Sequence, residues 1–117
     1  MAQKTCLIAD DSRMSRMILK KIINSAHPDW LVLEAENGRQ AVECAQGQDL
    51  ELILLDFNMP VMDGGEAAKQ LRPLFPSAKI AFLTANIQES IQQLARDLHI
   101  NFIPKPITEA KITKYVG

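Results

Sequence analysis

At 117 residues, 47% hydrophobic and 23% charged, the chain has the length and composition of one globular domain around a single core, and the expected unit is residues 1–117. A net charge of -1 offers no basic field for direct binding of nucleic acid and no acidic solvating tail, so partners have to be argued from local sites. The opening MAQKTCLIADDS has too short an apolar run for a signal peptide, and no later run approaches the roughly eighteen apolar residues of a membrane span, so a cytoplasmic setting without membrane insertion is expected.

Apolar runs of strand length alternate with amphipathic stretches from one end of the chain to the other. The first strand is expected over Thr5–Ala9, and Asp11 or Ser12 can cap a helix over Arg13–Asn24 whose Met14, Met17, Ile18 and Ile22 fall at helical spacing and are read as its core face. A strand over Leu31–Glu34, opened by Trp30, leads through the turn former Asn37-Gly38 to a helix over Arg39–Ala45. Next come a strand over Leu50–Asp56, a turn at Asp63-Gly64, a helix over Gly65–Leu71 and a strand over Lys79–Leu83. A helix over Ile87–Leu98, a strand over Phe102–Pro104 and a short helix over Thr108–Tyr115 complete five βα units. The runs CLIA, LILL and IAFL carry almost no polar interruption, as expected of central parallel strands covered on both faces. Cys6 and Cys44 lack a CxxC or a suitably spaced histidine and read as buried free thiols, while the isolated His27 and His99 read as surface or element-end residues.

Right-handed crossovers place helices on both faces of such a sheet and gather ligands at the carboxyl ends of its strands. Asp10 and Asp11 follow CLIA, Asp56 follows LILL, Thr84 follows IAFL and Lys105 follows NFIP, so four strand ends point chemistry at one rim. Three carboxylates held together raise one another's proton affinity unless a cation is present, and so few hard oxygen donors suit a divalent metal that keeps some waters, Mg²⁺ first and Mn²⁺ as a substitute. An aspartate beside a metal, a lysine and a hydroxyl can act as a nucleophile toward a phosphoryl group, whose transfer needs mainly positioning and charge neutralisation. Taken singly, each residue has an ordinary structural role as cap, turn former or strand residue; their joint placement on four strand ends favours a site.

Three other readings fare worse. A phosphatase of the haloacid-dehalogenase type would have a second acid two residues after its nucleophile, where this chain has Asn58. A dinucleotide binder would show GxGxxG after the first strand. A calcium loop fails because no glycine stands sixth after Asp56 and Pro60 intervenes.

With IADDSRMSRMIL, EAENGRQAVE, LILLDFNMPVMDGGE, AFLTAN and FIPKPI in this order over nearly its whole length, the chain resembles the receiver domains of two-component response regulators, and most of all the stand-alone chemotaxis type. The resemblance implies an α/β fold, a flavodoxin-like three-layer (βα)5 sandwich with a parallel sheet in the order 2-1-3-4-5, an order that general fold rules also illustrate with a chemotaxis receiver. It implies that Asp56 accepts a phosphoryl group from a sensor histidine kinase or a small donor such as acetyl phosphate. Asp11 would bind Mg²⁺ directly, Asp10 through water, and the Asn58 main-chain carbonyl would complete the protein's share beside Asp56. Thr84 and Lys105 would hold the phosphoryl oxygens, and Phe102 would be the switch aromatic, unless it is an ordinary core phenylalanine. Asn58, Ala85 and Asn86 would set the phosphoryl lifetime, and Lys105-Pro106 would be cis. Output would pass through the face of the fourth helix, last strand and last helix, including Ile87, Phe102, Lys111 and Tyr115, to a protein partner such as a motor switch component or a phosphatase. The chain would be a monomer or a phosphorylation-dependent dimer and no enzyme toward a separate substrate. It would act alone or as the receiver of a longer regulator with DNA-binding or enzymatic output, a phosphate-independent receiver-like scaffold being the remaining alternative.

The chain departs from the pattern at Pro104, acceptable only on an edge strand, at DLHIN, which replaces a glycine-bearing turn, and in its brief last helix.

Overall fold

The computed structural model describes residues 3–117. Strands and helices alternate as β1 (Thr5–Ala9), α1 (Arg13–Ala26), β2 (Leu31–Ala35), α2 (Gly38–Ala45), β3 (Leu50–Leu55), α3 (Gly64–Leu74), β4 (Lys79–Thr84), α4 (Glu89–Asp97), β5 (Asn101–Pro104) and α5 (Glu109–Val116). The strands form one parallel sheet in the order β2-β1-β3-β4-β5, which bears out the expected α/β architecture. The chain reverses direction across the sheet after β2, so the crevice between β1 and β3 is the topological switch point.

The two-residue period of a strand sorts the central side chains into two apolar layers. Leu7, Ile53, Leu55, Ile80 and Phe82 face a layer completed by Ala41 and Ala45 of α2, Ala67, Ala68 and Leu71 of α3, and Ile91 and Ala95 of α4. Cys6, Ile8, Leu52, Leu54, Ala81 and Leu83 face Leu19, Ile22 and Ile23 of α1 and Ile112 and Val116 of α5. Each fully buried leucine or isoleucine contributes roughly 1.5–3 kcal/mol of transfer free energy, which anchors the strand ends on which the chemistry sits.

One expectation about α1 is overturned. Met14, Met17 and Ile18 are not core but solvent-exposed, at 71%, 61% and 42%, and of the expected stripe only Ile22 is buried. The buried stripe is Arg16, Leu19, Ile22 and Ile23, rotated around the same helix. The thiols also differ, since Cys6 is buried and Cys44 only half-buried.

The two expected turns have another purpose. Asn37 and Asp63 are helix N-caps whose side chains accept from the amides of Gln40 and Glu66. Gly38 and Gly64 open the helices because a Cβ on Gly38 would lie 2.4 Å from the Met62 carbonyl oxygen and one on Gly64 2.1 Å from that of Asp56. Between Asp56 and Gly64, Val61 takes φ 68° in a turn closed by the Met62 amide on the Pro60 carbonyl, uncommon for a β-branched residue.

Helix α4 starts after Ile87, which lies in the preceding loop, and ends in a left-handed cap at His99 (φ 56°) with the Ile100 amide on the Ala95 carbonyl. DLHIN thus makes the turn without the glycine, at the cost of a side chain in the left-handed region. His27, the C-cap residue of α1, stacks on Trp30 with ring centroids 4.0 Å apart, ahead of β2 and at the sheet end opposite the carboxylates. Pro104 stands on the edge strand β5, where a missing amide is tolerated.

Candidate functional site

Asp10, Asp56 and Lys105 each stand one residue beyond a strand, and the amide of each continues the ladder onto the neighbouring strand. Asp10 N donates to the Ala35 carbonyl at 3.1 Å, Asp56 N to that of Ala9 at 2.9 Å and Lys105 N to that of Thr84 at 2.9 Å. The sheet therefore fixes the main chain from which all three side chains leave. Asp10 and Asp56 are buried, Asp11 is exposed, and one carboxylate oxygen of each lies within 4.8 Å of the others.

Lys105 closes the group from the far edge of the sheet. Its Nζ donates to Asp10 Oδ2 at 3.0 Å and to Asp56 Oδ2 at 3.2 Å, although 95 and 49 residues separate it from these partners. Partial burial pulls the ammonium's proton affinity down, but the hydrogen bond to Asp10 and the charges of Asp56 and Asp10 outweigh it, so the pKa ends above the ordinary lysine value. Lys105 is thus a fixed cation throughout the neutral range. Asp10 Oδ1 accepts the Ser12 amide at 2.9 Å, and Ser12 itself caps α1.

Three carboxylates and one ammonium leave two negative charges at one rim. Converging hard oxygen donors with that charge fit a divalent cation such as Mg²⁺ or Mn²⁺, held by Asp10, Asp11 and Asp56.

The remaining expected residues lie in β4 and β5 and in the loops that follow β3 and β4. Thr84 is buried at the end of β4, and its Oγ1 accepts the Asn86 amide at 3.1 Å. Asn86 Nδ2 donates to Asn58 Oδ1 at 3.0 Å, which ties the loop after β4 to the loop after β3, with exposed Ala85 between Thr84 and Asn86. Phe102 is half-buried, lies opposite Phe82 in the β4–β5 register and packs on the layer that α2, α3 and α4 cover. The Lys105-Pro106 bond is cis.

On the expected output face, a cleft of about 550 Å³ lies between β5 and α5, lined by Phe102, Ile103, Pro104, Lys111 and Tyr115 among others. Lys111 Nζ donates to the carbonyls of Pro104 and Pro106, and Tyr115 donates its hydroxyl proton to Asn101 Oδ1. Burial pushes the Tyr115 phenol up to about 12 against the opposing charge of Arg72.

Ser12, read only as a candidate helix cap, and Arg16, not singled out, both bear on the rim. The Ser12 amide on Asp10 follows from the cap and could have been anticipated, because Asp, Asp, Ser before a helix offers this local bond. Buried Arg16 carried one signal, its spacing from Leu19, Ile22 and Ile23 at helical period.

Comparison with known proteins agrees with this geometry. The family model for the response regulator receiver domain matches residues 6–117. Chemotaxis protein CheY of Thermotoga maritima is 35% identical over 95% of this chain and 92% of its own length. The nitrate/nitrite response regulator protein NarL of Escherichia coli is 41% identical over 74% of this chain but only 41% of its own length. Among solved structures, the CheX-CheY-BeF3-Mg+2 complex from Borrelia burgdorferi superposes with a TM-score of 0.86 at 25% identity, covering 97% of this chain and 86% of that one. With its sheet order, its acidic rim and these likenesses, the chain belongs to the response regulator receiver domain family of two-component signalling.

Proposed function

We propose that the chain is a phosphorylation-switched binding module in which Asp56 takes a phosphoryl group from the phosphohistidine of a sensor kinase. The observation that carries this reading is the joint hold of Lys105 on Asp10 and Asp56 beside Asp11, which assembles a nucleophile, a cation and a divalent-metal donor set at the switch point of the sheet. In the reaction, an Asp56 carboxylate oxygen forms a bond to phosphorus as the phosphorus–nitrogen bond of the donor breaks. A bound Mg²⁺ would neutralise charge on the transferring group and orient it. Lys105, already charged and already at Asp56, pairs with a phosphoryl oxygen, and the Thr84 hydroxyl donates to another. Asn58 and Asn86, bonded to each other at the mouth, set with Ala85 how readily water reaches the product.

The switch follows from charge. Drawing the Thr84 hydroxyl toward a new dianion opens room behind it for Phe102 to turn inward, and the face of α4, β5 and α5 changes its affinity for a protein partner. The module acts in the cytoplasm, as monomer or phosphorylation-dependent dimer, and turns over no separate substrate. Chemotaxis is the setting that the likeness to CheY favours, with a motor component or phosphatase as partner; the Borrelia relative pairs with CheX. A second reading rests on NarL, of which this chain matches less than half: the receiver controls a DNA-binding or enzymatic domain of a longer regulator.

Intact-mass measurement after incubation with Mg²⁺ and acetyl phosphate, and with beryllofluoride as a stable mimic, tests the reading. One phosphoryl adduct, labile to hydroxylamine, abolished by chelator and by Asp56→Asn, is expected. A protein that takes neither phosphoryl nor beryllofluoride, from small donors or from a kinase, refutes it.

A further inference from the structure

We propose that Arg16 is a positioning residue for the divalent-cation site, acting through the main chain of Asp10; this rests on the receiver reading above. Arg16 lies on the buried face of α1, with a side chain only 9% exposed. A guanidinium tolerates desolvation when it is paired and hydrogen-bonded, and here each of its three nitrogens faces an oxygen. Nη1 donates to the Asp10 carbonyl oxygen at 2.7 Å, Nε donates to Glu34 Oε1 at 3.2 Å, and Nη2 lies 3.9 Å from Glu36 Oε1. Arg16 therefore ties α1 and the end of β2 to the residue that opens the acidic rim.

The Asp10 carbonyl belongs to the same rigid peptide plane as the Asp11 nitrogen. Holding that oxygen fixes the plane from which Asp11 departs. Asp10 is secured four times over, by Ala35 on its amide, Arg16 on its carbonyl, and Ser12 and Lys105 on its two carboxylate oxygens. Asp11 is exposed and its carboxylate makes no hydrogen bond or ion pair among the described residues, so the backbone alone presents it to a cation. The charge of Arg16 is met by Glu34, with Glu36 nearby and Lys20 also on Glu34 at 3.8 Å, so the guanidinium acts by geometry rather than by field. Groups that orient metal ligands from behind typically shift metal affinity 10–100-fold when removed.

The test is Mg²⁺ titration by calorimetry on wild type, Arg16→Lys, Arg16→Met and Lys20→Met, each at a temperature where circular dichroism shows it folded, with urea unfolding in chelator alongside. Arg16→Lys keeps the charge but loses the fork that reaches two acceptors at once. Both Arg16 variants are expected to bind Mg²⁺ about tenfold more weakly or worse, and Lys20→Met, which removes only the surface arm of the same cluster, within twofold of wild type. Arg16 variants that lose stability yet keep wild-type Mg²⁺ affinity would show a merely structural arginine and overturn the proposal. So would tighter binding in Arg16→Met, the sign of a dominant charge effect. If Arg16→Met does not fold, Arg16→Lys and Glu34→Ala, which frees the guanidinium from its anchor, decide by the same criterion. A folded wild-type chain that binds no Mg²⁺ instead brings down the phosphorylation-switch reading, and the proposal with it.

Discussion

Replacing Lys105 with methionine isolates what its ammonium does. The substitution keeps a long unbranched chain and removes the only cation that touches the carboxylates of Asp10 and Asp56 among the described residues, at 3.0 and 3.2 Å, leaving side chains that are 2% and 10% exposed. Hydrogen bonds to charged groups contribute about 1.5–3 kcal/mol each, and orphaning a buried charge costs about 3–5 kcal/mol. Lys105 is one-fifth exposed, so water screens part of the effect, and we expect a loss of about 3 kcal/mol at pH 7 in chelator. With a urea slope of roughly 1.5 kcal/mol per molar, the unfolding midpoint falls by about 2 M. The sign with pH follows from the raised lysine pKa: the contribution is complete below the ordinary value of 10.5 and disappears as pH rises through the higher folded value, so wild type and variant converge in strong alkali. Saturating Mg²⁺ should restore much of the loss at pH 7, because a divalent cation meets the same carboxylates. A variant within 0.5 kcal/mol of wild type in chelator, on the order of an ordinary surface substitution, would refute the argument that the ammonium holds the two acids in place.

Two further outcomes are expected from the same geometry. Gly64→Ala should destabilise by about 2–3 kcal/mol or more in urea unfolding, since its Cβ would meet the Asp56 carbonyl oxygen at 2.1 Å, whereas Gly47→Ala, in open space at φ 75°, should cost about 1 kcal/mol; equal losses would refute the close-approach reading. Burial pushes the Cys6 thiol from 9.0 up to about 12, so the unfolded chain releases its proton first and stability falls as pH rises from 9 toward 12. By pH 10.5 this amounts to about 2 kcal/mol, and Cys6→Ala should remove it; a variant with the wild-type loss between pH 7 and 10.5 would place the alkaline sensitivity elsewhere.

The sequence by itself determined the βα alternation and the strand ends that carry Asp10, Asp56, Thr84 and Lys105, because strand periodicity and the residue after an apolar run are local properties. The breaks at Asn37 and Asp63 were equally local, although both read as turns and their capping bonds came from the structure. Tertiary structure decided which face of α1 is buried. Met14, Met17 and Ile18 and the stripe of Arg16, Leu19 and Ile23 share one helical period, and only the side on which the sheet lies chooses between them. Periodicity favoured the methionines because it gives no weight to an arginine whose donors are met by a carbonyl on β1's end and a glutamate on β2. The glycines tell the same story, since Gly38 and Gly64 read as turns but are held small by carbonyls of other segments. The bonds of Lys105 to Asp10 and Asp56 exist only because four strands stand side by side, and no local pattern measures a distance across a sheet.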